Sequence, residues 1–385
     1  MWRRPCSAAL VAALGVILAL TLVPVGGPGP AGFQWPFFAG QFFLSDFINN
    51  LVLFVPLAIA LRCSGVAAGK TIALGLVLSA TIEFAQLRVV PGRGSSLSDI
   101  ISNTLGVAAG VALVRWLPAR RRSALRGVTA AAASLAVIAA TGLLQYPSFP
   151  ETPYYGQWTA NLGQYEWYRG KVVSAEMGGM PLPSWRLADT RAARELLRAG
   201  AALHVRAVAG PRPERLAPLF SIYDSERREV LLVGPDRDDL VLHVRSRAVD
   251  LLLRPTELRW RGALAGVAPG DTLAVSVRHE TSGYCLGANG HERCRLAFTA
   301  GQAWGLLQSY PGLAPAAQTL LACLTMFLLG IPVGLVTTRR GWGWAGLVVA
   351  LAGAAVLPPL VGLAPTPLLQ LAALALGAIA ARRAP

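Results

Sequence analysis

The stretch "SATIEFAQLRVVPGRGSSLSDIISNTLG", residues 79–106, crowds Glu83, Gln86, Arg88, Arg93, Asp99 and Asn103 between long apolar runs. Whether those runs are packed inside a globule or embedded in lipid decides the fold. Of 385 residues, 54% are hydrophobic and only 14% are charged, and the mean hydropathy is +0.49. So little charge cannot cover a soluble protein of this size, and the composition is that of a polytopic membrane protein.

A hydrocarbon core of roughly 30 Å needs about 20 mostly apolar residues per helix. Eight runs qualify, near 8–25, 46–64, 69–88, 98–117, 127–145, 314–336, 343–361 and 365–381. Threaded alternately, they place Arg3, Arg4, Arg62, Lys70, Arg115, Arg120, Arg121, Arg122, Arg126, Arg339, Arg340, Arg382 and Arg383 on one side. Short basic loops stay cytoplasmic, so both termini are expected inside a cytoplasmic (inner) membrane. Arg88 and Arg93 are the exceptions among the short outer loops, where Phe33, Trp35, Phe37 and Phe38 suit an aromatic belt. The basic N-terminal segment reads as an anchored helix, since no small-x-small cleavage site precedes Gly26.

Residues 146–310 differ in kind, holding 17 of the 20 Asp and Glu and 20 of the 35 Lys and Arg. This leaves the insert nearly neutral and the membrane part strongly basic, a balance that marks topology and anionic lipid rather than nucleic acid. "ALHVRAVA", "APLFSIYD", "EVLLVGPD", "DLVLHVRS", "VDLLLRP", "LAVSVRHE" and "CRLAFTAG" alternate between Gly, Pro and Asp turns, as strands of a two-sheet sandwich do. "DTRAARELLRAG" has a helical period and ends at glycine. The expected domains are 1–145 with five helices, 146–310 as an extracytoplasmic β-sandwich, and 311–385 with three helices.

Cys6, Cys63 and Cys323 fall in or beside spans, where a lone cysteine packs as a small apolar group. Cys285 and Cys294 bracket "LGANGHER", whose Asn289-Gly290 pair marks a tight turn. Outside the cytoplasm this pair is expected to be a disulfide. A metal site with His291 lacks four spaced ligands, and no metal or cofactor is expected. The acids of "GPDRDDL", Asp236, Asp238 and Asp239, read as a solvated turn before a Ca2+ loop.

Two family resemblances rest on these residues. "DFINNLVLFVPLAIAL", "IEFAQ" and "GRGSSLSDIISNTLGVAAG", within 42–115, resemble the VanZ-like family, named after a teicoplanin-resistance protein. That resemblance implies a bacterial cell-envelope membrane protein linked to glycopeptide resistance. "YRGKVVSAEM", "LFSIYD", "DDLVLHVRSRAVDLLL" and "TAGQAWGLL" are similar to the concanavalin A-like (laminin G-like) jelly-rolls that accompany VanZ-like domains, folds that often bind carbohydrate.

In this threading Asp46, Asn49 and Asn50 open the second span, Glu83 and Gln86 end the third, and Asp99 and Asn103 open the fourth. Each set is an i,i+3 or i,i+4 group on one helical face, at one depth near the outer surface. Asp46, Glu83 and Asp99 are the only carboxylates of the membrane segments. Such groups are costly, usually paired and functional by default, with Arg88 and Arg93 as the expected partners. The bland alternative stands beside this: Ser96 with Asp99 fits a capping box, and Ser45 with Asp46 fits an N-cap. Glu83 lacks that excuse, because a carboxylate near a helix C-terminus opposes the dipole. Three functions remain open. The pocket binds an envelope lipid, glycan or glycopeptide; it performs acid/base chemistry as a hydrolase or transferase on a lipid-linked glycan or phospholipid; or it belongs to a transporter or flippase. Partners are membrane lipids and envelope carbohydrate, with no nucleic acid. Gly106-x-x-x-Gly110 reads as a helix-packing motif.

Overall fold

A computed structural model describes residues 3–24, 32–36, 43–116, 123–163, 165–281, 283–308, 312–336 and 344–383. Arg120, Arg121, Arg122, Arg339, Arg340, Phe37 and Phe38 lie outside the described residues. The chain divides into two compact units, Met1–Arg121 and Arg122–Pro385.

In the first unit α1 (Arg3–Leu22) leads to β1 (Phe33–Gln34), then α2 (Phe43–Cys63), α3 (Ala68–Arg88), β2 (Ser95–Ser96) and α4 (Leu97–Trp116). Ile17, Phe54, Leu57, Ile82, Val107 and Val111 form its apolar core. Strands β1 and β2 pair in parallel, Phe33 with Ser95 and Gln34 with Ser96. Gly106 and Gly110 let α4 approach α2. A Cβ at Gly106 would strike the Leu51 carbonyl oxygen, and one at Gly110 would come within 2.8 Å of the Val55 oxygen. The packing reading of that motif is the one the geometry supports.

In the second unit α5 (Ala124–Gln145) enters a β domain. It comprises β3 (Tyr154–Trp158), β4 (Lys171–Met177), β5 (Met180–Pro181), α6 (Thr190–Arg198), β6 (Leu203–Val208), β7 (Phe220–Asp224), β8 (Glu229–Asp236), β9 (Asp239–Val244), α7 (Arg247–Asp250), β10 (Glu257–Trp260), β11 (Thr272–Glu280), β12 (Gly283–Ala288) and β13 (His291–Leu296). A 3-10 turn at Ala300–Leu306 then leads to α8 (Pro315–Val336), α9 (Ala345–Leu360) and α10 (Leu368–Arg383). One antiparallel sheet runs β10-β9-β8-β7-β3 and the other β13-β12-β11-β6-β4-β5. Phe220, Ile222, Leu240 and Leu242 of the first share one core with Val205, Leu273, Val275 and Val277 of the second.

Helix α5 is tied to this domain by Thr256 Oγ1 donating to Gln145 Oε1 at 2.7 Å, and the β domain meets α10 through Gln370, whose Oε1 accepts the Gly301 N–H at 3.2 Å. Ala131, Ile138, Met326, Val333, Ala350 and Leu374 pack the four helices together. Gly330 and Gly334 of α8 lie directly against the Leu374 and Ala378 carbonyls of α10.

Helices α2, α3, α4, α5 and α8 are long and apolar enough to cross a membrane, and only 28–39% of each apolar window is buried inside the protein. Val77, Phe84 and Leu320 remain exposed on these helices. Faces this apolar need lipid around them, as in a multi-pass membrane protein. Shorter apolar helices cover Cys6–Leu22, Ala345–Leu360 and Leu368–Arg382, at the remaining expected runs.

Three sequence expectations change. "VDLLLRP" is no strand: it supplies the short helix α7 and a turn, fastened by buried Arg245 donating to Asp250 Oδ1 at 2.6 Å. The strand lies just beyond it, in β10, where the polar/apolar alternation is only four residues long and has only Leu258 and Trp260 as apolar members. Lastly, Cys6 and Cys63 are not lone packers; they face each other from α1 and α2 with their sulfurs at bonding distance, 2.02 Å.

Candidate functional site

The polar stretch that opened the sequence becomes the junction of α2, α3 and α4. Ser96 is the N-cap of α4, its Oγ accepting the Asp99 N–H at 3.1 Å. In a complete capping box the acid three residues on would reach back to the cap's own N–H. Here Glu83, arriving from α3, takes that place: its Oε2 accepts the Ser96 N–H at 2.9 Å. Asp99 is thereby released toward α2, where its Oδ1 accepts from Asn50 Nδ2 at 2.7 Å. Both acids sit at the positive end of α4, so the dipole that Glu83 opposes in its own helix is answered by the next one.

Asp99 lies within electrostatic range of both Glu83 and Asp46. Asp46 is exposed at the start of α2, beside Ser45, whose Oγ donates to its Oδ1 at 3.5 Å. The three membrane carboxylates therefore converge. Of the neighbouring asparagines, Asn50 is the one bonded to Asp99, and Asn49 lies half-buried beside it in sequence.

Deeper along the same faces, Asn103 Nδ2 donates to Ser79 Oγ at 2.9 Å, and nearer the end of α3 Gln86 Nε2 donates to the Thr21 carbonyl of α1 at 3.0 Å. Ser79 is a member that the sequence reading missed, although Ser79, Glu83 and Gln86 follow the i,i+4 and i,i+3 steps of one face. Glu83 is 3% exposed and Asn103 2%. Two acceptors in this group, Gln86 Oε1 and Asn103 Oδ1, are buried with no hydrogen-bond partner. Each such atom costs about 1–3 kcal/mol unless something supplies a donor.

The arginines do not partner the acids. Arg88 is exposed, and Arg93 turns to the end of α1, donating from Nη2 to the Leu20 carbonyl at 2.7 Å and from Nε to the Val23 carbonyl at 3.1 Å. Those carbonyls have no intrahelical donors and sit at the negative end of the helix, which explains the choice. Among the described residues neither Glu83 nor Asp99 makes an ion pair.

In the β domain the acids read as a turn are also engaged. Arg259 bonds Asp236 at 2.6 Å and Asp239 at 2.8 Å, and Arg212 pairs with Asp238 at 2.7 Å. His243 lies between Glu229 and Glu257, with Nδ1 3.0 Å from Glu229 Oε1. Burial pushes its imidazole pKa down, but the two carboxylates outweigh this and hold it up at about 10. Cys285 and Cys294 are bonded at 2.02 Å, as expected. Glu280 is close to both sulfurs, the one three-residue grouping of metal-ligand types among the described residues, and its thiols are already joined.

In this unit of apolar helices the carboxylates gather near one end as a polar junction. A family model described as VanZ/LLP1 matches residues 10–118, nearly the whole of the first compact unit. The polar junction thus lies wholly within the VanZ-like segment. No curated protein and no solved structure matches the chain.

Proposed function

We propose that the chain is an integral protein of the bacterial cell envelope whose membrane-embedded polar junction binds the polar part of an envelope lipid, glycan or glycopeptide, with a link to glycopeptide (teicoplanin) resistance. The observation that carries this reading is the pair of orphaned acceptors, Gln86 Oε1 and Asn103 Oδ1, beside two carboxylates that no arginine among the described residues neutralises. A ligand rich in hydroxyl, amide or ammonium donors would satisfy all four. Charge asymmetry supports both termini in the cytoplasm of an inner-membrane protein and the β domain outside. The two stacked antiparallel sheets are compatible with a concanavalin A-like jelly-roll.

Native mass spectrometry and lipidomics of purified protein test the reading. An envelope lipid or lipid-linked glycan should accompany the wild type and be lost from Glu83→Gln. Equal retention by both proteins would overturn it.

A second reading, acid/base chemistry on a lipid-linked glycan or phospholipid, draws on the proximity of buried Glu83 to half-buried Asp99, two carboxylates at the start of one helix. Turnover distinguishes the two, since an enzyme changes the co-purifying molecule and a binder returns it intact. A transporter or flippase has less support, because α8, α9 and α10 carry no acid or histidine.

A further inference from the structure

The outer face of the five-stranded sheet carries a second open site, independent of the membrane junction. Strand β3 is its edge strand, and segment 183–187 folds along that edge. The Gly156 N–H donates to the Trp185 carbonyl and the Leu187 N–H to the Tyr154 carbonyl, both at 2.9 Å. This geometry lifts the Trp185 side chain out of the protein, 74% exposed. It stands as a fin between two clefts of about 680 and 520 Å³, lining both.

The larger cleft is walled by Trp185, Tyr155, Gln157, Asn161, Ser225 and Arg227. Tyr155 and Gln157 alternate with core-facing Tyr154 and Trp158 along β3, which places them on the sheet's outer side. None of these six side chains makes a hydrogen bond to another described residue. Gln157 Oε1 is moreover buried without a partner, a cost that a ligand donor would remove. We propose that this cleft is a saccharide-binding subsite, in which the Trp185 indole stacks on the C–H face of a sugar ring while Gln157, Asn161 and Arg227 bond its hydroxyls.

The chemistry favours a sugar over other occupants. An exposed indole offers a flat apolar face with a polar edge, which matches a ring that is C–H on one side and hydroxylated around its rim. A lipid chain would need apolar walls, yet among the described residues Leu162 is the one aliphatic side chain lining this cleft. An extended peptide would add to the sheet edge, but segment 183–187 already occupies the β3 donors and acceptors there.

The test uses the full-length protein in a sugar-free detergent on an array of immobilised neutral, N-acetylated and acidic mono- and oligosaccharides. Wild type should retain at least one of them. Trp185→Ala and Gln157→Ala should each weaken that retention about tenfold, while Trp167→Ala should bind normally, since Trp167 is exposed but lines neither cleft. Neither cleft variant should lower the thermal transition or lose the Cys285 to Cys294 bond, because neither residue contributes to the core. Glu83→Gln should bind as wild type, which separates this site from the membrane junction. Failure of the wild type to retain any sugar, or unchanged retention in both cleft variants, would overturn the proposal.

Discussion

Glu83 on α3 accepts the backbone N–H of Ser96, the residue that begins α4, so one helix supplies the missing half of the next helix's cap. This gives Glu83 a structural duty as well as a charge, and the two can be separated. Glu83→Gln keeps an oxygen that accepts the Ser96 N–H and should reach normal membrane levels, with the co-purifying ligand lost. Glu83→Ala orphans that buried amide and should lower stability by about 1–3 kcal/mol, read as an earlier thermal transition in detergent. Equal ligand retention by wild type and Glu83→Gln would leave the carboxylate as a cap alone.

Arg93 should behave differently from the acids. It donates to the Leu20 and Val23 carbonyls, so Arg93→Gln should loosen the C-terminal end of α1 at a cost of about 1–3 kcal/mol. Ligand retention should remain. Protease protection of α1 measures the first effect and lipidomics the second.

The close contact of α4 with α2 sets the reach between Asp99 and Asn50. Gly106→Val puts a side chain into the Leu51 carbonyl and forces the helices apart, with an expected loss of about 1–3 kcal/mol. The accompanying signature should be loss of bound ligand, because the 2.7 Å Asn50 to Asp99 bond cannot survive the separation.

The cysteine pairs report on sidedness. Under the proposed topology Cys285 and Cys294 face an oxidising space, whereas Cys6 and Cys63 face the cytoplasm, where thiols are kept reduced. Differential alkylation of growing cells should find the first pair bonded, with the second as thiols that close on addition of oxidant. A permanent Cys6 to Cys63 bond in untreated cells would invert the threading.

The β domain should weaken in alkali. The pKa of His243 is about 10 when folded, above its ordinary value near 6.5, so folding favours the protonated form. Its contribution is complete below about pH 6.5 and fades as pH rises through 10. Thermal unfolding followed by tryptophan fluorescence should show this decline, and His243→Gln should flatten it.

Much of this was legible in the sequence, for physical reasons that also mark where legibility ended. Apolar runs reveal helices in lipid because length and composition suffice, and period-2 alternation exposed β6, β7, β8, β9 and β11. Strand β10 escaped because its alternation lasts only four residues, and because the ion pairs that hold Arg259 to Glu257, Asp236 and Asp239 depend on contacts that spacing along the chain does not contain. Convergence of Asp46, Glu83 and Asp99 followed from helical spacing and depth. Their partners did not, since the pull of an unfinished helix end on Arg93 depends on where α1 stops in space. Charge matching along the sequence contains no such information.

The two-residue parallel pair between Phe33–Gln34 and Ser95–Ser96 bears on the order of assembly. Parallel neighbours cannot be joined by a hairpin, and here the intervening chain is the whole α2–α3 helical pair. That clasp therefore closes only after both helices are in place, and Ser96 is the residue that presents its amide to Glu83. The polar junction is accordingly among the last parts of its unit to form, and a chain that inserts only some of its helices carries the acids without the geometry that holds them.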